Sequence, residues 1–406
     1  MTVEPTFALP ESAHDVISGD AERLTSSLHR HVLRTLAPNS EKNLRPFTSA
    51  EAAQFLGVSP GHLRKMHSEN KIPEVHGGTP QRKLYTAQEI QAIREALAAT
   101  SRNPHQFLPG RKPGDKLQVI AFTGFKGGSS KTTSAITTAS ALALRGYRVL
   151  LLDVDPQASA STMMGLQPEL NLGDDDTVYD VLRYDDPASG IFRKTMQEVI
   201  RKTYMPNLDI CPGGLILSEY ETETPTALKN GDPEPFYMRM KVAIASVDDD
   251  YDVVIIDCPP QLGFLTLTAM SAATGIVIPI IPNMIDVASL AQFMTMTAAS
   301  VAELERAGFQ FNYDFVRYLL SRYEPTDGPQ TQVAAFLRNM FPGRVMTSAF
   351  LKSTAIADAG LTNETIFEVD RNQINRATFN RAMESVGLVV DELEQDIRRA
   401  WGREVS

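Results

Sequence analysis

The sequence predicts an α/β fold in which a mostly parallel sheet, with helices on both faces, follows two smaller N-terminal elements. From Lys116 onward, short apolar runs alternate with helix-length segments, a pattern typical of parallel sheets. Residues 41–98 have the spacing of a small winged helix-turn-helix domain. Before them, Asp15 to Leu36 carries one apolar stripe at helical spacing. These three observations predict the fold class and the order of the domains.

Length and composition limit the class of protein. A chain of 406 residues, 43% of them hydrophobic, is long enough for two or three domains with their own cores. The net charge of −10 argues against general coating of nucleic acid, although a local basic face stays open. Two cysteines cannot build a disulfide framework, and no apolar run approaches the roughly 20 residues that span a bilayer. We therefore expect a cytoplasmic protein without a membrane partner.

The first predicted domain, residues 1–40, contains one helix. Its apolar positions recur every three to four residues, at Ile17, Ala21, Leu24, Leu28 and Val32. A stripe of this kind has to be buried. It can pack on the next domain or form a dimerisation seam with a second chain, and three heptads do not decide between the two.

The second predicted domain, residues 41–98, has the helix-capping and turn residues of a winged helix-turn-helix. Thr48 and Glu51 form a capping box that starts a helix, Gly57 ends that helix, and Ser59 caps the next one. A Gly-Gly turn and a basic return strand then predict a wing, before a third helix. Residues predicted to contact DNA lie in the second helix and the wing: His62, Arg64, Lys65, Arg82 and Lys83.

This segment resembles the MerR-type DNA-binding domain. The resemblance rests on Glu51-Ala-Ala, Leu56-Gly-Val-Ser, Leu63-Arg and Tyr85-Thr. It implies sequence-specific binding to an operator. A helical adaptor that binds protein instead of DNA remains the alternative.

Residues 99–116 are rich in Pro, Gly and charge, and they predict a linker to a third domain, residues 117–406. Apolar runs in that domain predict seven strands, at Val119–Phe122, Val149–Asp153, Leu208–Cys211, Val253–Asp257, Ile276–Ile281, Phe315–Leu320 and Val345–Phe350. Asn372 to Trp401 predicts a C-terminal helix with an acidic outer face, which anionic lipid would repel.

A phosphate-binding loop follows the first of these strands. Gly127 and Gly128 allow the backbone N–H groups to turn inward, and the N-terminus of the following helix adds its positive end. Lys131 supplies a point charge, and the neighbouring Thr132 is placed to hold a magnesium ion. Strand, loop and helix thus come in the order that phosphate binding requires.

The loop departs from the standard pattern in an informative way. Phe125 and Ser130 occupy its two glycine positions, while Lys126 adds a second lysine. Lys-Gly-Gly-x-x-Lys-Thr-Thr resembles the deviant Walker A motif of ParA/MinD-type P-loop ATPases. The resemblance implies ATP and Mg²⁺ as cofactors. It also implies nucleotide contacts from Lys126, Gly127, Gly128, Ser129, Ser130, Lys131, Thr132 and Thr133, and from Pro282 and Asn283 beside the adenine.

Three aspartates stand at the carboxyl ends of predicted strands, the edge where open α/β sheets bind their ligands. Asp153-Val-Asp155-Pro-Gln resembles the switch I segment of the family, which implies that Asp155 orients the hydrolytic water and Asp153 supports magnesium. Val253 to Asp257 is a buried β-branched run that ends in a carboxylate, as a Walker B strand does. Asp257 is therefore expected to hold magnesium through water.

The resemblance also implies a mechanism. In this family the residue corresponding to Lys126 reaches across a homodimer to the partner's nucleotide, so Lys126, Lys131 and Asp155 are the predicted catalytic residues. A charge supplied by a partner contributes roughly 10³–10⁵ in rate where it has been measured. Turnover is expected to be slow until a partner completes the site.

Among the ParA-type ATPases, the sequence most resembles the RepA (ParA-like) proteins of repABC-type plasmids. This implies ATP-dependent plasmid partition, with a nucleoid-associated dimer that binds DNA nonspecifically, a ParB-type partner and repression of its own operon. Lys352 lies in the region where the family makes its nonspecific DNA contacts. Two alternatives stay open: a nucleotide-sensing repressor that needs no turnover, and a MinD-like positioning ATPase.

Overall fold

The computed structural model describes residues 12–35, 42–79, 82–124, 126–166, 176–361, 363–371 and 374–403. It divides the chain into a first unit that ends at Lys42 and a second that begins at Asn43. Phe125 of the predicted loop and residues 80–81 of the predicted wing lie outside the described residues. The first unit contains helix α1 (Ala13–Thr35), on which the predicted stripe residues Ile17 and Leu24 are exposed.

The second unit opens with three short strands and three helices. The predicted capping box of Thr48 with Glu51 forms, a second box joins Thr86 with Glu89, and Gly57 ends its helix at φ +67°. The strands pair antiparallel in the order β1-β3-β2. The elements are β1 (Phe47–Thr48), α2 (Ser49–Leu56), α3 (Pro60–Ser68), β2 (Gly77–Thr79), β3 (Arg82–Tyr85) and α4 (Ala87–Thr100). Their identification as a DNA-binding domain stays a prediction.

A mostly parallel sheet of eight strands forms the centre of the second unit and confirms the predicted α/β fold with a mostly parallel sheet. The strands are β4 (Gln118–Phe122), β5 (Val149–Asp153), β6 (Arg201–Lys202), β7 (Leu208–Cys211), β8 (Val253–Asp257), β9 (Gly275–Ile280), β10 (Phe315–Tyr323) and β11 (Val345–Leu351). Their order is β11-β10-β9-β4-β8-β5-β7-β6, and β6 pairs antiparallel with β7. All seven predicted strands are present, whereas the two-residue strand β6 was not predicted.

Helices cover both faces of this sheet. Alternate residues of β4 enter opposite cores, Ile120 on one face and Val119 on the other, as strand geometry requires. The helices are α5 (Lys131–Leu144), α6 (Ser159–Met163), α7 (Val178–Leu182), α8 (Met196–Val199), α9 (Leu217–Asn230), α10 (Phe236–Ala245), α11 (Phe264–Ala272), α12 (Met284–Arg306), α13 (Gly328–Met340), α14 (Thr354–Leu361) and α15 (Arg376–Ala400).

The predicted linker, residues 99–116, makes specific contacts along the second unit. It contains a short 3₁₀ turn, Pro104–Gln106, and the side chain of Phe107 is buried. The Arg111 guanidinium donates to the backbone oxygen of Asp248 at 2.8 Å. Its backbone N–H donates to the Asp252 carboxylate at 3.0 Å. The segment is therefore held against the α/β sheet at several points.

A buried arginine joins the N-terminal elements to the helix that follows the phosphate loop. The Arg94 guanidinium donates to the backbone oxygens of Phe55, Phe107 and Leu144 at 2.7, 3.0 and 2.8 Å. Phe55 lies in the last turn of α2, and Leu144 is the last residue of α5, so two helix C-termini share one cation. Burial lowers the pKa of Arg94 to about 10, which leaves it charged at neutral pH. A Cβ at Gly146 would lie 2.5 Å from its side chain.

The edge strand β11 is covered by side chains of α15. The Glu392 carboxylate accepts from the N–H groups of Thr347 and Ser348 at 3.0 and 2.9 Å. The Ser385 hydroxyl accepts from the N–H of Leu351 at 2.9 Å. Backbone donors that an edge strand normally presents to solvent are thus satisfied within the chain.

Helix α12 is unusually apolar for an exposed helix. Although the sequence showed no uninterrupted apolar run of membrane-spanning length, this helix is, among the described residues, long and apolar enough to cross a membrane by length and composition, and 17% of its apolar stretch is buried in the fold. Met284 and Ile285 in its first turn are exposed. One helix of this kind is weak grounds for a membrane assignment.

We expect Arg94→Lys to lower the free energy of unfolding by about 3 kcal/mol, because an ammonium cannot reach three divergent carbonyl oxygens and leaves buried acceptors unpaired. Thermal unfolding of the full chain measures the change. Arg102→Lys, at an exposed position just beyond α4, is the matched control. Equal melting temperatures for the two variants would contradict the role assigned to Arg94.

Candidate functional site

The candidate site lies at the carboxyl edge of the sheet, where three neighbouring strands end together. Asp257 of β8 is in register with Phe122 of β4 on one side and with Asp153 of β5 on the other. Both aspartates are completely buried. The phosphate loop leaves β4 beside them, so the register of the strands places the loop and two carboxylates in one site.

The loop adopts a conformation that glycine favours. Gly128 has φ +78° and Ser130 has φ +67°, both in the left-handed region. Ser130 takes the place of a glycine in the standard pattern, and a non-glycine residue in that region costs about 1–2 kcal/mol. Helix α5 begins at Lys131, directly after it, and Thr132 and Thr133 lie in the first turn. The deviant sequence therefore keeps the backbone path of a phosphate loop at some cost in strain.

Side chains fasten this loop from within and from the sheet. The Lys131 amine donates to the backbone oxygen of Lys126 at 3.0 Å, and the Ser129 hydroxyl donates to the same oxygen at 3.1 Å. The Ser321 hydroxyl of β10 donates to the backbone oxygen of Ser129 at 3.0 Å. Burial lowers the pKa of Lys131, and the nearby charge of Asp257 opposes that effect.

The two loop lysines have different surroundings. Lys131 is buried, whereas the side chain of Lys126 is 41% exposed. The Lys126 amine forms an ion pair with Asp286 in the first turn of α12. Lys126 therefore lies at the rim of the site and Lys131 in its interior.

Asp257 has the strongest requirement for a cation in the site. Neither of its buried carboxylate oxygens accepts a hydrogen bond of good geometry within the described residues. Burial first, and then the charge of Asp153, raise its pKa well above the usual range. The Thr132 hydroxyl and the Lys131 amine oppose this shift from the loop side. A buried carboxylate without hydrogen-bond donors is unfavourable unless a cation approaches it.

Asp153 and Asp155 are engaged with their own segment. Asp153 accepts from the backbone N–H and the hydroxyl of Ser161, each at 2.7 Å. Burial raises the pKa of Asp153 to about 6 despite these bonds. Asp155, also buried, accepts from the backbone N–H of Gln157 at 2.9 Å. Of these carboxylates, Asp257 is the one whose two oxygens accept no hydrogen bond of good geometry in the described chain.

Asp257, Thr132 and Asp153 fit the ligand requirements of a magnesium ion. Mg²⁺ is typically bound by one or two carboxylates, water and substrate phosphates, instead of a cage made entirely of protein ligands. Within the described ranges no group of three or more His, Cys, Asp or Glu residues could hold a metal by itself. Asp257 and Thr132, with Asp153 behind them, supply the partial ligand set that such an ion requires.

The other predicted site residues lie where their elements place them. Asn283 caps α12, and its side chain accepts from the N–H of Asp286 at 2.9 Å, directly after Pro282. His62, Arg64 and Lys65 are exposed on α3, and Arg82 is exposed on β3. Lys83 is partly buried and approaches His67 at 3.5 Å. Lys352 pairs with Glu324 at 2.9 Å. The basic residues of α3 and β3 are therefore separate from the phosphate loop in sequence.

Sequence reasoning missed several residues that shape the site. The Ser161 hydroxyl donates to Asp153, and the Ser321 hydroxyl donates to the backbone oxygen of Ser129. Asp286 pairs with Lys126. Glu221 of α9 accepts from two N–H groups at the start of α11, the helix that follows β8. A Cβ at Gly213 would lie 2.9 Å from the Asp153 carboxylate carbon. Of these residues, Gly213 was the one that the sequence could have indicated, because the paired glycines Gly213-Gly214 at the end of a predicted strand indicate close backbone approach.

The chain is similar to known proteins in sequence and in fold. A family model described as an AAA domain matches residues 117–307. A protein named "Putative replication protein A" from Rhizobium rhizogenes is 45% identical over 386 residues, 94% of each chain. The chromosome partitioning protein ParA of Caulobacter vibrioides is 30% identical over 243 residues, covering 60% of this chain and 84% of the relative. A solved structure described as "Partition Protein" shares the fold, with a TM-score of 0.61 at 16% identity, covering 93% of this chain and 98% of its own.

We expect pH and magnesium to act on stability through the buried carboxylates. Because the pKa of Asp153 is raised from 3.8 to about 6, its contribution to stability is lost as pH rises through about 6 when no metal is bound. The loss amounts to about 3 kcal/mol at most. Magnesium with ATP should restore stability at pH 7.5. The loss builds up between about pH 4 and pH 6, so thermal unfolding at about pH 4 and at pH 7.5, with and without magnesium and ATP, measures both effects.

Asp257→Asn provides the comparison, since it removes one buried charge and keeps the shape of the side chain. Its metal-free melting temperature at pH 7.5 should exceed that of the wild type, and magnesium with ATP should stabilise it less. If the variant matched the wild type in both respects, Asp257 would not be the metal-binding carboxylate.

Proposed function

Because the chain belongs to the ParA/MinD-type partition ATPases, among the RepA-like proteins, we propose that it couples ATP hydrolysis to the segregation of plasmid DNA. The observation that carries this proposal is the site around Asp257. A buried carboxylate that accepts no hydrogen bond of good geometry, a buried lysine and a left-handed loop at a helix N-terminus meet at one sheet edge. That combination suits a nucleotide triphosphate with its magnesium ion.

Each residue has a distinct part in this proposal. The N–H groups of residues 127–133 and the Lys131 amine bind the phosphates, as the loop conformation and the buried lysine suggest. Asp257 and Thr132 hold magnesium, with Asp153 in support, and the metal when bound neutralises charge on the phosphates. Pro282 and Asn283 border the adenine at the start of α12. Asp155, two residues after the end of β5, orients the attacking water.

Lys126 acts across a homodimer in this proposal. Its side chain is at the rim and partly exposed, which suits a group that reaches toward a second subunit. A cation supplied by the partner stabilises charge that develops on the transferred phosphoryl group. ATP binding, dimerisation and turnover are thereby coupled, and a ParB-type partner stimulates the slow reaction.

The N-terminal elements form the operator-binding part of the proposal. Leu63 and Met66 of α3 are buried, whereas His62, Arg64 and Lys65 on the same helix are exposed. A helix that packs one face and presents basic residues on the other suits the major groove of DNA. This supports repression of the chain's own operon, while the ATPase dimer binds DNA without sequence preference.

A second basic surface supports the nonspecific contact. Lys352 and Arg381 line a cavity of about 330 Å³ between the end of β11 and the start of α15. Phosphate attraction to such residues needs no base contact.

The alternatives remain a nucleotide-sensing repressor without required turnover, and a positioning ATPase of the MinD type.

We expect three substitutions to separate ATP binding from turnover. Lys131→Ala should lose both, Asp155→Ala should keep binding and lose turnover, and Lys126→Gln should lower partner-stimulated turnover by roughly 10³-fold. Phosphate release with DNA and a partner fraction measures the rates, and plasmid loss per generation measures segregation. Lys229→Gln, on the exposed face of α9, is the control. Stable plasmid inheritance with Asp155→Ala would favour the repressor alternative.

We expect Arg64→Ala to weaken binding to DNA from upstream of the chain's own gene by roughly 1–3 kcal/mol if Arg64 reads a base, and Lys83→Ala to reduce the salt slope by about 1. Fluorescence anisotropy of the full chain at several salt concentrations measures both. Lys112→Ala, outside the N-terminal elements, is the control. Wild-type affinity in both variants would favour the protein-binding adaptor.

A further inference from the structure

The Lys126 amine is bound within its own chain, to the carboxylate of Asp286. The two side chains differ in exposure, since Lys126 is 41% exposed and Asp286 is 4% exposed. One partner of the ion pair is therefore fixed in the protein interior, and the other can reach solvent. This contact has no part in the roles assigned so far.

Asp286 is held in place by its own helix. Its backbone N–H donates to the capping side chain of Asn283 at 2.9 Å, which fixes the first turn of α12. Its second carboxylate oxygen is buried and accepts no hydrogen bond within the described residues. It borders a small cavity beside Gly124 and Ser129. In the part of the chain that the structure describes, Lys126 is the cation that contacts Asp286.

Lys126 can release this contact without moving the loop. Its backbone oxygen is fixed by the Lys131 amine and the Ser129 hydroxyl, at 3.0 and 3.1 Å. The side chain beyond Cα is free of those bonds, and a lysine has four rotatable bonds in its stem. A change of rotamer is enough to carry the amine away from Asp286.

We propose that Asp286 is the resting counter-ion of Lys126. The ion pair holds the lysine on its own subunit until ATP bound to a second copy of the chain replaces Asp286 as the partner of the amine. The proposal rests on the proposed function, in which Lys126 acts across the dimer. Transfer of the amine leaves a buried carboxylate without its cation, which is unfavourable. The triphosphate must therefore outcompete Asp286 for the lysine, and the ion pair restrains dimer closure when ATP is absent. Asp286 is a positioning residue that acts through Lys126.

Asp286→Asn tests this inference, because the amide keeps the size of the side chain and removes its charge. We expect half-maximal dimerisation with a nonhydrolysable ATP analogue at a roughly tenfold lower protein concentration, within the usual range of coupling between sites. Sedimentation velocity across a concentration series measures it. Turnover without DNA or a partner should rise in parallel. In the double variant with Lys126→Gln, the gain should disappear.

Glu303→Gln is the matched control, since it removes one exposed charge from the same helix far from the loop. Melting temperatures of all variants check folding. A wild-type chain that stays monomeric with the analogue would contradict the proposed function itself. A wild-type chain that dimerises, with Asp286→Asn dimerising equally or less, would overturn the role of Asp286 and leave the proposed function standing.

Discussion

Two carboxylates, buried side by side at the ends of neighbouring strands, are the constraint on which the rest of this site depends. Register places Asp153 opposite Asp257, and burial makes the charge of each unfavourable. Ser161 satisfies Asp153, whereas hydrogen bonds of the described chain leave Asp257 unsatisfied. The phosphate loop brings Lys131 and Thr132 toward that unsatisfied group. The geometry thus makes the fold receptive to a cation and its phosphate ligand at this one edge.

The phosphate loop is also connected to distant elements. Helix α5 starts at Lys131 in the loop and ends at Leu144, whose carbonyl shares the Arg94 guanidinium with Phe55 of α2. The N-terminal elements are therefore attached to the helix that begins at Lys131, the lysine that we propose binds nucleotide. A rigid helix between two sites is a physical route for coupling, and only a demonstrated change between two states would make it allosteric.

Much of the fold was predictable because its signals are local. Apolar runs located seven strands, and the Thr48 capping box located the start of α2. Strand β6 was not predicted, because a segment of two residues is too short to show a hydrophobic periodicity. The contacts between Lys126 and Asp286, and between Arg94 and Leu144, join positions far apart in the chain, so no spacing rule reveals them. The loop residues were found through motif order, which encodes backbone path, whereas side-chain partners depend on tertiary packing.

The covering of strand β11 has a further consequence for assembly. With Glu392 and Ser385 occupying its outward amides, this side of the sheet offers little template for an added strand from another molecule. At the opposite border, β6 is only two residues long and carries Arg201 and Lys202. Contacts between copies of this chain at the borders of the large sheet would therefore rely on helical or loop surfaces, without the continuous cross-strand ladder that makes amyloid-like fibres hard to dissolve.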